Sequence, residues 1–296
     1  MSKSLDPWIT LHQKRIEDFL KEFINKNSDE TLIKKVCEYA IFNGGKRFRA
    51  LLVYAIGEIN GVNKQALDYV AGAVEVIHCY SLIHDDLPAM DDDSLRRGKP
   101  SCHIKFNEAQ AILAGDGLQV ISFNLLCSSD LDISNKKKIA LLEIFSKAIG
   151  IQGMVLGQSL DMEASNNTIN LKSLEHLQEL KTGALIEASC TMSYLISDVF
   201  NQNNQNKISK MAKLLGKIYQ ITDDILDNES NENILGKTCG KDKNYNKATF
   251  ISLIGLEEAK KINLEFFEKA MMALEGVSGN KKTIKQLITK IYQRKF

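Results

Sequence analysis

The sequence predicts an all-α helical bundle forming one domain over residues 1–296, and three observations carry that prediction. Apolar residues recur at three- and four-residue spacing through most of the chain. Only three prolines occur, Pro7, Pro88 and Pro100, so long stretches carry no helix breaker. No strand-like alternation, internal repeat or linker interrupts the pattern.

Taken in order, a first helix is expected from Trp8 to about Asn25, and Ser28 is expected to cap a second running from Asp29 to Phe42. Gly44 and Gly45 end that helix. Lys46, Arg47, Phe48 and Arg49 then open a third, reaching Asn60 and stopping at Gly61. Three cations at a helix start oppose the dipole, and an anion bound there would meet both free N–H groups and positive side chains. A snorkelling surface patch explains KRFR equally well. A fourth helix from Asn63 is apolar around most of its circumference, which marks it as buried. It carries His78, and a lone histidine in such a helix is more often a hydrogen-bonded core residue than a ligand.

That helix ends in HDDLPAMDDDSLRRG, His84 to Gly98, where Asp85, Asp86, Asp91, Asp92 and Asp93 crowd together ahead of Arg96 and Arg97. Helical segments follow at Glu108–Cys127 and Asn135–Met162, the latter as one or two helices with Gln158 and Asp161 on one side. Thr168 or Asn170 can cap a helix containing Lys181 and Thr182. A polar loop is expected at Asn201–Asn206, then a helix from Ile208 to Asp227 carrying Gln220, Asp223, Asp224 and Asp227. Residues Asn228–Lys247 are the longest non-periodic segment, with Lys237, Lys241, Lys243 and Lys247 spaced by Gly236 and Gly240. A glycine-bearing basic loop after an acidic cluster suits a phosphate-closing lid. Helical patterns resume to the basic C-terminal QRKF.

A net charge of +1 argues against nucleic-acid binding through bulk charge. The six cysteines are scattered without a CxxC pair, so neither a zinc site nor a disulfide framework is expected. The N-terminal residues lack a signal-peptide core, and no uncharged apolar run approaches the ~20 residues of a bilayer span. A cytoplasmic protein without stable membrane insertion is expected.

Repelling carboxylates at a helix end gain nothing structurally, but hard divalent cations resolve the conflict, since Mg²⁺ is often held by one or two carboxylates and substrate phosphates. A second acidic cluster on another helix, with Lys and Arg near both, can hold several Mg²⁺ ions against one diphosphate. Nothing in the sequence reads as an activated nucleophile, a Walker loop or a Rossmann fingerprint. Electrostatic assistance to a leaving diphosphate is the chemistry left, and an allylic substrate would then yield a carbocation.

With GGKRFR, HDDLPAMD followed by LRRG, GQSLD, KTG, DDILD and GKTCGKDKNYNKATF on the page, the chain resembles the short-chain trans-prenyl diphosphate synthases, above all the bacterial farnesyl-forming members. The resemblance covers nearly the whole chain. It implies a helical bundle around a deep central cavity, a homodimer, and three Mg²⁺ ions per site bridging an allylic diphosphate. By resemblance, Asp85, Asp91 and Asp223 would bind metal, supported by Asp86, Asp224 and Asp227. Lys46, Arg49, His78 and Arg97 match the pocket for isopentenyl diphosphate, which moves His78 from core residue to ligand. Arg96, Lys181, Gln220, Lys237 and Lys247 match the residues gripping dimethylallyl or geranyl diphosphate. Thr182 would turn its hydroxyl or a nearby carbonyl toward the cation. Phe250 and Tyr219 depart from the usual residues without touching diphosphate chemistry.

Tyr80 lies five residues before Asp85, roughly 7.5 Å deeper along the helix. A ring there is expected to stop growth near fifteen carbons, and Ser81 is too small to block earlier. Four alternatives stand beside farnesyl synthesis: a geranylgeranyl diphosphate synthase, a terpene cyclase, a Mg²⁺-dependent nucleotide pyrophosphatase and a non-catalytic partner subunit. DDILD departs from the cyclase pattern, a pyrophosphatase would not explain GGKRFR, LRRG and the lysine loop together, and a partner subunit should have lost an aspartate motif.

Overall fold

The structure is a computed structural model that describes residues 5–165, 167–233 and 248–294. Helices make up most of it, and the described strands form one two-stranded hairpin. The described residues fall into two compact units, residues 5–57 with 61–142, and residues 58–60 with the described part of 143–294.

In the first unit α1 (Asp6–Asn27) buries His12, Ile16, Leu20 and Ile24, a stripe at helical spacing. Ser28 does not cap the next helix. It closes α1, its hydroxyl donating to the Ile24 carbonyl at 2.7 Å, while Thr31 caps α2 (Leu32–Phe42) by accepting from the Lys34 N–H. The helix α3 (Phe48–Gly57) is shorter than expected and buried from Ala50 to Gly57. Asn63 caps α4 (Lys64–Asp85), whose Ala66–Ile77 stretch is wholly buried, the expected central helix. A hairpin of Leu95–Arg96 and Lys99–Pro100 precedes a single turn, α5 (Cys102–Lys105), then α6 (Glu108–Cys127), which packs along α4. Ser134 caps α7 (Asn135–Ile149), which the two units divide after Leu142.

In the second unit α8 (Met154–Ala164) precedes α9 (Leu171–Gln178), capped by Asn170. A π-helical turn, Glu179–Gly183, separates α9 from α10 (Ala184–Leu195). The expected polar loop at Asn201–Asn206 is instead the start of α11 (Gln202–Asn233), with the Asn201 side chain accepting from the Asn204 N–H. The same helix runs six residues past Asp227, so residues 228–233 are helical and not loop. Lys237, Lys241, Lys243 and Lys247 lie outside the described residues. Thr249 and Ser252 form a reciprocal capping box on α12 (Phe250–Ile254). The helices α13 (Leu256–Glu275) and α14 (Lys282–Tyr292) pack against α11.

No uncharged apolar run of bilayer length occurs, as expected, yet by length and mean composition Lys64–Asp85, Glu108–Cys127 and the stretch Asn135–Ala164 are apolar enough to span a bilayer. The apolar window of α4 is 78% buried within the structure, so its hydropathy is that of a core helix.

Candidate active site

Each unit carries one acidic cluster, and each is built by different local means. In the first, α4 runs to Asp85, and Asp86 caps it with its N–H on the Leu82 carbonyl. The chain then folds back on the helix end: the Asp91 N–H meets the Asp85 carbonyl at 2.9 Å and the Asp93 N–H meets that of Asp86 at 3.2 Å. Asp92 takes a left-handed φ of 48°, a conformation aspartate tolerates better than most residues. Asp86 is almost wholly buried and accepts Nε of Arg96 at 2.9 Å and a second bond from its Nη2, which also reaches Asp93 at 3.3 Å. Burial pushes the Asp86 carboxyl above the ordinary aspartate range, against the opposing pull of Arg96. Arg96, expected on an allylic diphosphate, is here a partner of two aspartates.

Arg97, at φ 55°, sits in the hairpin turn with Gly98. Its guanidinium donates to the Gly44 carbonyl and fills the space a Cβ on Gly45 would need, 2.6 Å from its Cζ. Lys46 is exposed and Arg49 half-buried. Arg47 behaves differently from its neighbours, which corrects the reading of KRFR as three anion-facing cations. It is buried at φ 51°, with Nε and Nη2 on Glu17 Oε1 at 3.1 and 3.0 Å and Nη2 on the Ile41 carbonyl at 2.7 Å. Its Nη1 lies 3.9 Å from Glu75, whose other oxygen accepts the Ala50 N–H at the start of α3. Arg47 therefore anchors the loop that carries Lys46 and leads into α3, where Arg49 stands.

His78 is half-buried on α4. Burial first, then Arg49, Arg97, Arg96 and Arg47, hold its imidazole well below its ordinary pKa, so it stays neutral. Ser81 donates to the His78 carbonyl at 2.9 Å. Tyr80, half-buried, meets the His84 ring edge-on with centroids 4.8 Å apart.

In the second unit a cavity of about 270 Å³ brings together Asp161, Lys181, Thr182, Gln220 and Asp224. Lys181 and Thr182 lie on the π-helical turn, an irregularity often found at functional sites. Glycine is required beside it: a Cβ on Gly157 of α8 would stand 2.2 Å from the Lys181 backbone nitrogen. Lys181 Nζ pairs with Asp161 at 2.6 Å, a contact the GQSLDM spacing did not reveal. Asp224 accepts the Phe250 N–H at 2.8 Å, placing its charge at the N-terminus of α12. Asp223, one helical turn before Asp227, is paired with Arg294, whose guanidinium also lies 4.6 Å from the Tyr219 ring centroid. Sequence reasoning saw only a basic C-terminus in QRKF, and no local pattern marks Arg294 as the partner of Asp223. Lys237 and Lys247, expected on the same diphosphate, lie outside the described residues.

Among the described residues no three His, Cys, Asp or Glu side chains gather closely enough to hold a metal unaided. The donor set is nonetheless carboxylate oxygen, which suits Mg²⁺ when phosphate oxygens complete the shell.

Comparison with known proteins places this geometry. A relative from Haemophilus influenzae, named farnesyl diphosphate synthase, is 43% identical over 267 residues, 90% of each chain. The solved structure of a geranyltransferase from Legionella pneumophila is similar with a TM-score of 0.87 at 34% identity, covering 98% of this chain and 97% of that one. A Helicobacter pylori geranyltransferase, complexed with magnesium and isoprenyl diphosphate, is similar with a TM-score of 0.79 at 31% identity, covering 96% of this chain and 95% of that one. Residues 30–291 match the model of the family described as polyprenyl synthetase, and the chain belongs to that family.

Proposed function

We infer that the chain is a trans-prenyltransferase that condenses isopentenyl diphosphate with dimethylallyl and then geranyl diphosphate to give farnesyl diphosphate. The observation that supports this reading best is the aspartate-rich end of α4, onto which the following loop is bonded back, with Arg96 clamping Asp86 and Arg97 in the hairpin turn beyond it. Relatives named farnesyl diphosphate synthase support the substrate class.

On this reading Lys46, Arg49, His78 and Arg97 hold isopentenyl diphosphate, with Arg47 as their anchor. Lys181, Gln220, Arg96, Lys237 and Lys247 grip the allylic diphosphate. Asp85, Asp91 and Asp223 are the metal ligands, with Asp86, Asp224 and Asp227 in support. Mg²⁺, three ions per site, supplies positive charge that makes diphosphate a good leaving group. Thr182 and the carbonyls of its turn face the developing allylic cation, and apolar walls exclude water from it. The isopentenyl double bond attacks that cation, and the departing diphosphate takes the proton lost in the last step. Tyr80 closes the cavity floor near fifteen carbons, with the smaller Ser81 beside it. The protein acts as one synthase domain over 1–296, as a homodimer in the cytoplasm.

Product analysis tests the reading. Purified protein is incubated with Mg²⁺, labelled isopentenyl diphosphate and dimethylallyl diphosphate, and the dephosphorylated alcohols are separated by length. Farnesol as the dominant alcohol is the expected result. Geranylgeraniol would keep the mechanism and refute the Tyr80 floor, whereas no elongation would refute the reading as a whole.

A further inference from the structure

Between α4 and α6, beside the first aspartate cluster, three side-chain positions interlock in a way that the chemistry of diphosphate loss does not use. Tyr80 and His84 are four residues apart on α4 and therefore lie on one face. Their rings meet edge to face, centroids 4.8 Å apart at an interplanar angle of 67°. His84 Nε2 lies 3.2 Å from the Ile112 carbonyl of α6, a bond that requires the proton on Nε2. The imidazole reaches that carbonyl only because residue 115 has no side chain. A Cβ on Gly115 would stand 2.0 Å from Nε2, 2.5 Å from Cδ2 and 2.9 Å from Cε1, closer than any real contact. The obstructed atoms belong to a ring held by a hydrogen bond and an aromatic partner, so they cannot give way as the tip of a lysine would. Asp116, the next residue on α6, lies near the same tyrosine: burial first and then its carboxylate raise the Tyr80 hydroxyl above its usual range.

We propose that His84 and Gly115 determine specificity as positioning residues, the bare backbone at Gly115 seating the His84 imidazole so that it fixes the Tyr80 ring and thereby product length. The proposal rests on the prenyltransferase reading and deepens it. A lone tyrosine on a helix can choose between two common χ1 rotamers, and a floor that moves between them would release a mixture of lengths. The stack removes that freedom, because the side on which His84 stands is filled and His84 is itself tethered to α6. Product length then belongs to the α4–α6 contact and not to Tyr80 alone.

The test compares the unsubstituted protein with Tyr80→Ala, His84→Ala and Gly115→Ala, using Mg²⁺, isopentenyl diphosphate and geranyl diphosphate. Alcohol length, kcat and KM are read together. His84→Ala is expected to raise the share of twenty-carbon product at least tenfold while KM for isopentenyl diphosphate changes less than twofold. A merely structural role would lower kcat without altering length. Gly115→Ala is expected to change the length distribution as well, with folding checked by circular dichroism. Should that variant not fold, His84→Ala decides the question alone. Unchanged farnesol from an active His84→Ala protein, with Tyr80→Ala giving longer chains, would overturn the proposal. Unchanged farnesol from Tyr80→Ala also would overturn it, since the ring would not be the floor. An unsubstituted protein that elongates nothing overturns the underlying activity, and the missing farnesol tells that failure from the others.

Discussion

The two acidic clusters look alike as strings of letters and are built on opposite principles. The first is a helix end: Asp86 is buried, clamped by Arg96, and the following loop is bonded back onto α4. The second is a stretch of continuous helix that displays its carboxylates in sequence, two of them engaged by different later elements, Asp224 by the N-terminus of α12 and Asp223 by Arg294. In the first cluster the acids are part of the fold. In the second they are presented by the fold and restrained from outside it.

Removing the second aspartate of each cluster sharpens that contrast most. Asp86→Ala leaves the Arg96 guanidinium, only partly exposed, without its main partner, and is expected to cost about 3 kcal/mol. Asp224→Ala loses one charge-assisted bond at a helix N-terminus and is expected to cost about 1 kcal/mol. Urea unfolding of both variants measures the difference, and equal losses would break the distinction.

A smaller effect concerns Arg294. Its guanidinium occupies Asp223 and must leave before a cation can use that carboxylate, a competition worth about 1 kcal/mol for a partly exposed pair. Arg294→Ala is therefore expected to bind Mg²⁺ about fivefold more tightly in the presence of inorganic diphosphate, read by calorimetric titration. Weaker or unchanged binding would show that Arg294 assists the cluster and does not mask it.

A further effect is the pH response of the first unit. The folded protein keeps His78 neutral below the ordinary histidine pKa of 6.5, whereas the unfolded chain protonates it there. The unfolded state then binds more protons, so stability is lost as pH falls below 6.5, by at most about 1.4 kcal/mol per pH unit. Thermal unfolding between pH 7.5 and 5.5 should show a shallower slope for His78→Gln than for the unsubstituted protein.

The parts of this molecule that could be read from its sequence are those that depend on local period. The apolar run of α4 and the exact span Glu108–Cys127 of α6 needed only neighbouring residues, as did the choice of Thr168 or Asn170 as a cap, which the structure narrows to Asn170. The aspartate clusters were legible because like charges on a helix demand an explanation. Other features depend on distant partners and were not. Arg47 reads as a third surface cation until Glu17 and Glu75 are brought to it from 30 residues upstream and from α4. Asn201–Asn206 reads as a loop because asparagine is a weak helix former, yet burial of Asn204 against Tyr194 and Ser278 overrides that preference. Thr31 displaced Ser28 as a cap because both residue types suit the role and only the path of the backbone chooses between them.

The π-helical turn at Glu179–Gly183 has a consequence in phase. One helical turn there accommodates an extra residue, so α10 continues α9 with its angular count advanced by one position, about 100°. Lys181 and Thr182 reach the cavity from inside that slip, while Leu185 and Ile186 still meet the core on the far side of it. Deleting any single residue from 179–183 would restore a regular helix and turn one flank against the other. The chain could then aim Lys181 correctly or bury Leu185 correctly, but not both. Single-residue deletions should therefore be far less tolerated here than in the polar stretch before α9, although both lie between helices of similar length.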